Sequence, residues 1–248
     1  MHNFLFFIYI LIFLFYGLAF CLHLLGWRIS EVCAGATALG LNLLALVMII
    51  VLSGHGPFFE IFESFLLVTF ILGGLVLFYS GPEDRLPDLR MWVWMEILLL
   101  LAIVLFFPKR PSPSLYDRTY LYLFLFFGFR KISLAAVLFA TAQFIQFRVE
   151  RKRDIRGNGR LQKGRNFLLL GTLIFMMAEY SGIIWCQNGW GDFWHWNGGF
   201  FQSTLIVLYL MLALHLPGKG RQSEGIRSIV GGMSAFLMLT LIIIRHLG

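Results

Sequence analysis

Apolar runs of roughly 17 to 25 residues recur from one end of this 248-residue chain to the other. A run of that length, wound as a helix, crosses a hydrocarbon core of about 30 Å, because each residue adds about 1.5 Å and the backbone bonds internally. The short alternating strands of a membrane barrel have no counterpart here. With 59% hydrophobic and 13% charged residues, and a mean hydropathy of +0.80, the chain lacks the polar surface that a soluble globule needs. The expected fold class is all-α, a polytopic transmembrane helix bundle.

The runs predict about eight spans: Phe4 to Leu25, Val32 to Leu52, Phe59 to Tyr79, Met91 to Phe107, Ile132 to Phe147, Phe167 to Ile184, Phe200 to Leu216 and Ile229 to Ile244. Leu115 to Phe129 is also apolar, but Arg130 and Lys131 follow it, and such charges are costly at mid-bilayer. It is read as an interfacial helix leading into the fifth span. The first run lacks both a basic flank and a small-residue cleavage site, so a retained helix is expected rather than a signal peptide. Residues 1–248 are read as a single integral membrane domain, in which Gly35, Ala36, Gly40, Gly73 and Gly74 offer close helix contacts.

Seven of the basic residues, Arg151, Lys152, Arg153, Arg156, Arg160, Lys163 and Arg165, fall between Val149 and Arg165. Short loops so enriched stay cytoplasmic. Alternation then puts residues 81–90 and 217–225 inside, and both termini, the Ser53 to Pro57 turn and residues 185–199 outside. The net charge of +7 reports this orientation, and nucleic-acid binding is not expected. Cys21, Cys33 and Cys186 are isolated, which leaves no C-x-x-C pair and no C-x-x-C-H for covalent heme attachment.

Between the sixth and seventh runs lies W-C-Q-N-G-W-G-D-F-W-H-W, Trp185 to Trp196. Each indole brings a flat apolar face and one N–H donor, so a cluster of them at a membrane boundary suits a large flat ligand such as a porphyrin. Gly189 and Gly191 allow a tight turn and a close approach, and Gln187, Asn188 and Asn197 supply hydrogen bonds. The alternative is an ordinary aromatic belt, which explains scattered tryptophans better than clustered ones.

The segment Ser181 to Asn197 resembles the tryptophan-rich signature of heme-handling cytochrome c assembly proteins of the CcsA and CcmC type, roughly S-G-x-x-W-x-x-x-x-W-G-x-x-W-x-W-D. Ser181, Gly182, Trp185, Trp190, Gly191, Trp194 and Trp196 match in register, with Asn197 at the terminal Asp. Gly54-His55-Gly56-Pro57 followed by Phe62-Glu63-Ser64 is similar to a stretch of the CcsA branch, which eight spans also suit. The resemblance implies a heme platform of Trp185, Trp190, Gly191, Trp194, Trp196 and Asn197, and outward-facing histidine ligands beside it. His246 matches one of these; the other belongs at the start of the fifth span, where Phe126 stands. His55 or His195 are the candidate replacements. The family's transmembrane histidine corresponds to His215, and His23, at similar depth, is a candidate mate for a b-type heme. For all of these, the alternative is a packed or interfacial side chain.

The function so implied is that of a cytochrome c biogenesis membrane protein, which binds non-covalent, b-type heme on its extracytoplasmic side and presents it to apocytochrome c. It could form part of a heme lyase or synthetase system with a CcsB-like membrane partner. The membrane would be a bacterial inner membrane or a thylakoid-like one. The alternative is a membrane subunit of a respiratory or cytochrome complex, carrying a b heme or purely structural, which Phe126, Asn197 and Gly198-Gly199 favour. No catalytic group and no metal other than heme iron is expected, since nucleophile–base pairs, phosphate loops and metal-ligand spacings are missing.

Overall fold

The computed structural model describes residues 2–79, 88–109, 121–152, 158–191, 198–216 and 221–247. Eight α-helices account for nearly all of them, and there is no strand among the described residues. They are α1 (His2–Leu24), α2 (Arg28–Ser53), α3 (Ile61–Tyr79), α4 (Leu89–Val104), α5 (Leu121–Lys152), α6 (Asn158–Trp190), α7 (Gly198–His215) and α8 (Arg221–Leu247). Six, all but α4 and α7, are long and apolar enough to cross a membrane. The chain is a polytopic helical membrane protein, and its helices follow the eight apolar runs.

Contacts divide the chain into two compact units, Met1–Asp117 and Arg118–Gly248. In the first, α1 packs on α2 and α4, and α3 packs on α2 and α4, a closed ring of four helices. The connections follow from local chemistry. At the end of α1, Gly26 takes φ 76°, and the Gly26 and Trp27 N–H groups bond the carbonyls of His23 and Leu22 at 3.0 Å, a turn that only glycine enters cheaply. Gly54, at φ 73°, ends α2 in the same way. Asp88 caps α4 by accepting from the N–H groups of Arg90 and Met91.

Tyr9, Tyr16, Phe62, Phe65 and Trp94 fill this core, all fully buried. Two of the expected small-residue contacts form: a Cβ on Gly35 would lie 2.9 Å from the Trp94 ring, and one on Gly73 would lie 2.7 Å from the Tyr16 hydroxyl. Gly40 and Gly74 instead face open space, and Ala36 is exposed. Within the core the Asn42 amide donates to Thr69 Oγ1 at 3.0 Å.

In the second unit α5 and α6 form the main antiparallel pair, with α8 against α5 and α7 between α6 and α8. Gly164, Gly171 and Ala178, seven residues apart, lie along the side of α6 that faces α5. Cβ atoms on Gly164 and Gly171 would meet Phe144 and Val137 at 3.0 and 2.8 Å. Such a small-residue seam lets backbones approach, and close van der Waals packing is the main attraction between helices in lipid.

Three boundaries differ from the sequence reading. The expected break after Phe129 does not occur, and α5 runs unbroken through Arg130 and Lys131. Arg130 is accommodated because α6 and α7 supply an anion and a hydroxyl, described below. The basic segment is shorter than 149–165, since Arg151 and Lys152 belong to α5 and Arg160, Lys163 and Arg165 to α6. The tryptophan segment starts within a helix, because α6 continues through Trp185 to Trp190.

Candidate functional site

Gly182, Trp185 and Gly189 share one face of α6, at i, i+3 and i+7. Opposite them on α5, the Phe126 ring packs where a Gly182 side chain would be, 2.6 Å from an added Cβ. It also lies 6.1 Å from the Trp185 ring at 31°. The serine-glycine pair that opens the tryptophan signature thus has a physical reason: glycine admits an aromatic ring beneath the first tryptophan. Gly182→Leu drives a side chain into that ring, and its expected cost is about 1–3 kcal/mol. The check is the thermal midpoint in detergent by far-UV circular dichroism, which should fall while helix content at low temperature holds.

One turn further along α5, the Arg130 guanidinium stacks 4.0 Å over the Phe126 ring centroid. Its Nε and a terminal nitrogen donate to Glu179 Oε1 of α6 at 3.0 and 2.5 Å, and it also donates to the Ser203 hydroxyl of α7. Glu179 is therefore a paired carboxylate, as its place in an apolar helix suggested. The sequence reading took Arg130 as a charge that would end the helix and missed its partner. The available signal was two opposite charges in apolar runs, each needing neutralisation.

Gly191 closes α6 with φ 75°, its N–H bonding the Gln187 carbonyl at 3.0 Å. Gln187, Asn188 and Gly189 are exposed, and no described atom lies within 4 Å of a Cβ placed on Gly189 or Gly191. Trp190 belongs to the last turn of α6. Trp194, His195, Trp196 and Asn197 lie outside the described residues.

His246 stands in the last turn of α8. The α5–α8 register follows from Arg151 beside Gly225, Phe144 beside Gly231, and Thr141 Oγ1 donating to the Gly232 carbonyl at 3.3 Å. One helix ascends as the other descends, which brings the end of α8 to the end of this unit that holds Phe126 and Trp185. His215 is at the other end, exposed, with Nδ1 2.8 Å from the Met211 carbonyl. That contact makes Nδ1 the donor and leaves Nε2 as the acceptor nitrogen.

In the first unit, His55 is half-buried beyond the end of α2, with Nδ1 2.9 Å from the Gly56 carbonyl and its ring edge-on to Phe59 at 4.9 Å. Glu63, in the first turn of α3, is fully buried.

His23 is held differently from what an iron ligand requires. Its Nδ1 lies 3.0 Å from Glu31 Oε2 and its Nε2 3.1 Å from Asp88 Oδ1, with 4% of the side chain exposed. Trp94 Nε1 donates to Glu31 Oε1 at 3.0 Å. An axial ligand presents a nitrogen lone pair to open space, whereas both His23 nitrogens face carboxylates. The geometry makes His23 the centre of a clasp joining α1, α2 and α4, and nothing in the sequence pattern announced it.

Fold and site together define a polytopic helical membrane protein that carries clustered tryptophans at the end of a long helix. No protein-family model matches the chain. It is 24% identical over 208 residues to Protein NrfI of Wolinella succinogenes, covering 78% of this chain and 21% of that protein. The match to the cytochrome c biogenesis protein CcsA of Aethionema cordifolium is 31% over 64 residues, 24% of this chain and 20% of that one. With the CcsA of Lotus japonicus it is 23% over 77 residues, 31% and 23% of the two chains. The aligned part spans about a fifth of the length of these relatives. Over these stretches the chain is similar, at low identity, to CcsA and NrfI proteins.

Proposed function

We propose that this chain is a membrane component of cytochrome c biogenesis, which seats heme as cargo at the tryptophan-bearing end of its second unit and presents it to apocytochrome c. The observation that carries the reading is the exposed end of α6. There Trp185 and Trp190 extend to a glycine-capped turn, and α8 brings His246 to the same end of the unit.

The residues fit a porphyrin on chemical grounds. Trp185 rests on Phe126, so the described base of the platform is aromatic, and the space beside Gly189 and Gly191 is open among the described residues. In this reading Trp185, Trp190, Trp194 and Trp196 bury the ring faces, Gly191 and Asn197 shape the loop, and His246 ligates the iron, with His195 as the alternative ligand. Ring burial supplies most of the affinity, and the imidazole sets position and redox poise. Heme itself supplies the vinyl groups that an apocytochrome's C-x-x-C-H would take up. Apocytochrome c and a CcsB-like protein are the proposed partners. The proposed site is a bacterial inner or thylakoid-like membrane, with the platform outward as the basic α5–α6 connection suggests.

One observation favours a second reading, that of a membrane subunit with a resident b heme. His215 is exposed with Nδ1 already bonded, which leaves Nε2 as the coordinating nitrogen. Since His23 is engaged in its clasp, a second axial ligand there would come from another chain. A reduced pyridine hemochrome spectrum of the purified full chain tests both readings, with a b-type signal expected. Deleting the gene should deplete holocytochrome c broadly if the chain delivers heme, and only one complex if it holds heme as a subunit.

A further inference from the structure

Arg130 occupies a singular place relative to the tryptophan loop. The loop leaves the end of α6 at Gly191 and re-enters helix at Gly198, the start of α7. Glu179 sits on α6 before the loop and Ser203 on α7 after it, and Arg130 bonds both. Arg130, with 17% of its side chain exposed, thus ties together the two helices that bracket the loop. Phe126 extends the tie upward, with its ring on the guanidinium at one face and close to Trp185 and Gly182. A second ring, Phe175, lies 5.5 Å from the same guanidinium.

A lysine could neutralise Glu179 but is a compact point charge without a planar fork, whereas arginine holds two partners in fixed directions and stacks on rings. A charge at this depth is costly unless paired, so the three polar groups hold their helices at one spacing or leave an unmatched charge in an apolar bundle.

We propose that Arg130 is the positioning residue of the platform: by clipping α6 to α7 through Glu179 and Ser203, it fixes the separation of the two helix ends, Gly191 and Gly198, that bracket the tryptophan segment. The inference rests on the heme reading for the identity of what the platform seats. It concerns no residue that touches the cargo.

The test uses the full chain in nanodiscs, with Cys21→Ser and Cys33→Ser removing two cysteines. Spin labels at the native Cys186 on α6 and at Phe201→Cys on α7 report the helix separation, and Soret titration reports hemin affinity. Arg130→Met is expected to broaden the label distance distribution and to weaken hemin binding about tenfold, with helix content unchanged. Arg130→Lys should restore the charge but not the distance. The double exchange Arg130→Glu with Glu179→Arg should recover part of both, a rescue that simple loss of packing would not show. Should Arg130→Met fail to fold, Ser203→Ala, which removes the α7 bond alone, is expected to broaden the distances in its place. Unchanged distances and affinity in Arg130→Met, or in Ser203→Ala where it stands in, overturn the clip while leaving the heme reading intact. If the parent chain takes up no hemin, the heme reading falls, and the distance measurement alone decides the clip.

Discussion

A full chain carrying His246→Ala is expected to lose at least roughly tenfold in heme retained through purification, whereas His215→Ala should retain heme at the parent level. The argument is one of place. The end of α8 reaches the end of the unit that holds Phe126 and Trp185, and of the groups packed there the Phe126 ring and the paired Arg130 guanidinium do not ligate iron. An imidazole from α8 would supply the bond that ring burial cannot. The measurement is the pyridine hemochrome absorbance per mole of protein for parent and variants. Heme lost only with His215→Ala would remove the outer platform and favour the resident-heme subunit. Added imidazole should restore binding to His246→Ala if the lost group acts as an axial ligand.

Glu31→Ala should be the most destabilising single change in the first unit, at about 3–5 kcal/mol. Glu31 is 1% exposed and lies on α2. One of its oxygens faces His23 of α1 at 3.0 Å; the other accepts from Trp94 of α4 at 3.0 Å and lies 3.9 Å from Arg90. Removing it leaves the His23 Nδ1 and the Trp94 indole N–H without their acceptor inside an apolar bundle, where an unmade bond keeps its full desolvation cost. Glu31→Gln keeps one carbonyl oxygen for Trp94 and should lose less. His23→Ala should also lose less, because Asp88 keeps its bonds to the N–H groups of Arg90 and Met91. The unfolding midpoint in mixed detergent–SDS titrations of the full chain provides the check, and equal midpoints for Glu31→Ala and the parent would show that the clasp contributes nothing.

The architecture was legible because a bilayer imposes a length on whatever crosses it, and eight apolar runs of that length became eight helices. Contacts between distant residues were less so. Arg130 and Glu179 are 49 residues apart; Arg130 alone reads as a charge that should stop a span, and its pairing with Glu179 lets α5 run on. His23 looked like a ligand because its depth matched that of His215. Its partners, Glu31 and Asp88, lay in segments read only as a helix start and a polar loop, and periodicity says nothing of which helix ends converge. The glycine of the tryptophan signature was visible by itself, but its reason, the ring of Phe126, required the register of α5 against α6. In the lipid-facing helices the exposed side, with residues such as Leu170, Leu173 and Met177, is as apolar as the buried one, so hydrophobicity cannot tell inward from outward.

α5 and α6 have 32 and 33 residues, which at 1.5 Å per residue makes rods of nearly 50 Å. A hydrocarbon core of about 30 Å hides only part of such a rod. Both ends of α6 are hydrophilic, with Arg160, Lys163 and Arg165 at one and Gln187 and Asn188 at the other, which favours leaving the surplus length in water over absorbing it by tilt. A helix that continues past its apolar run in this way carries Trp185 and the Gly191 cap on one rigid piece of backbone, so their spacing is set by the helix and not by the lipid beneath it.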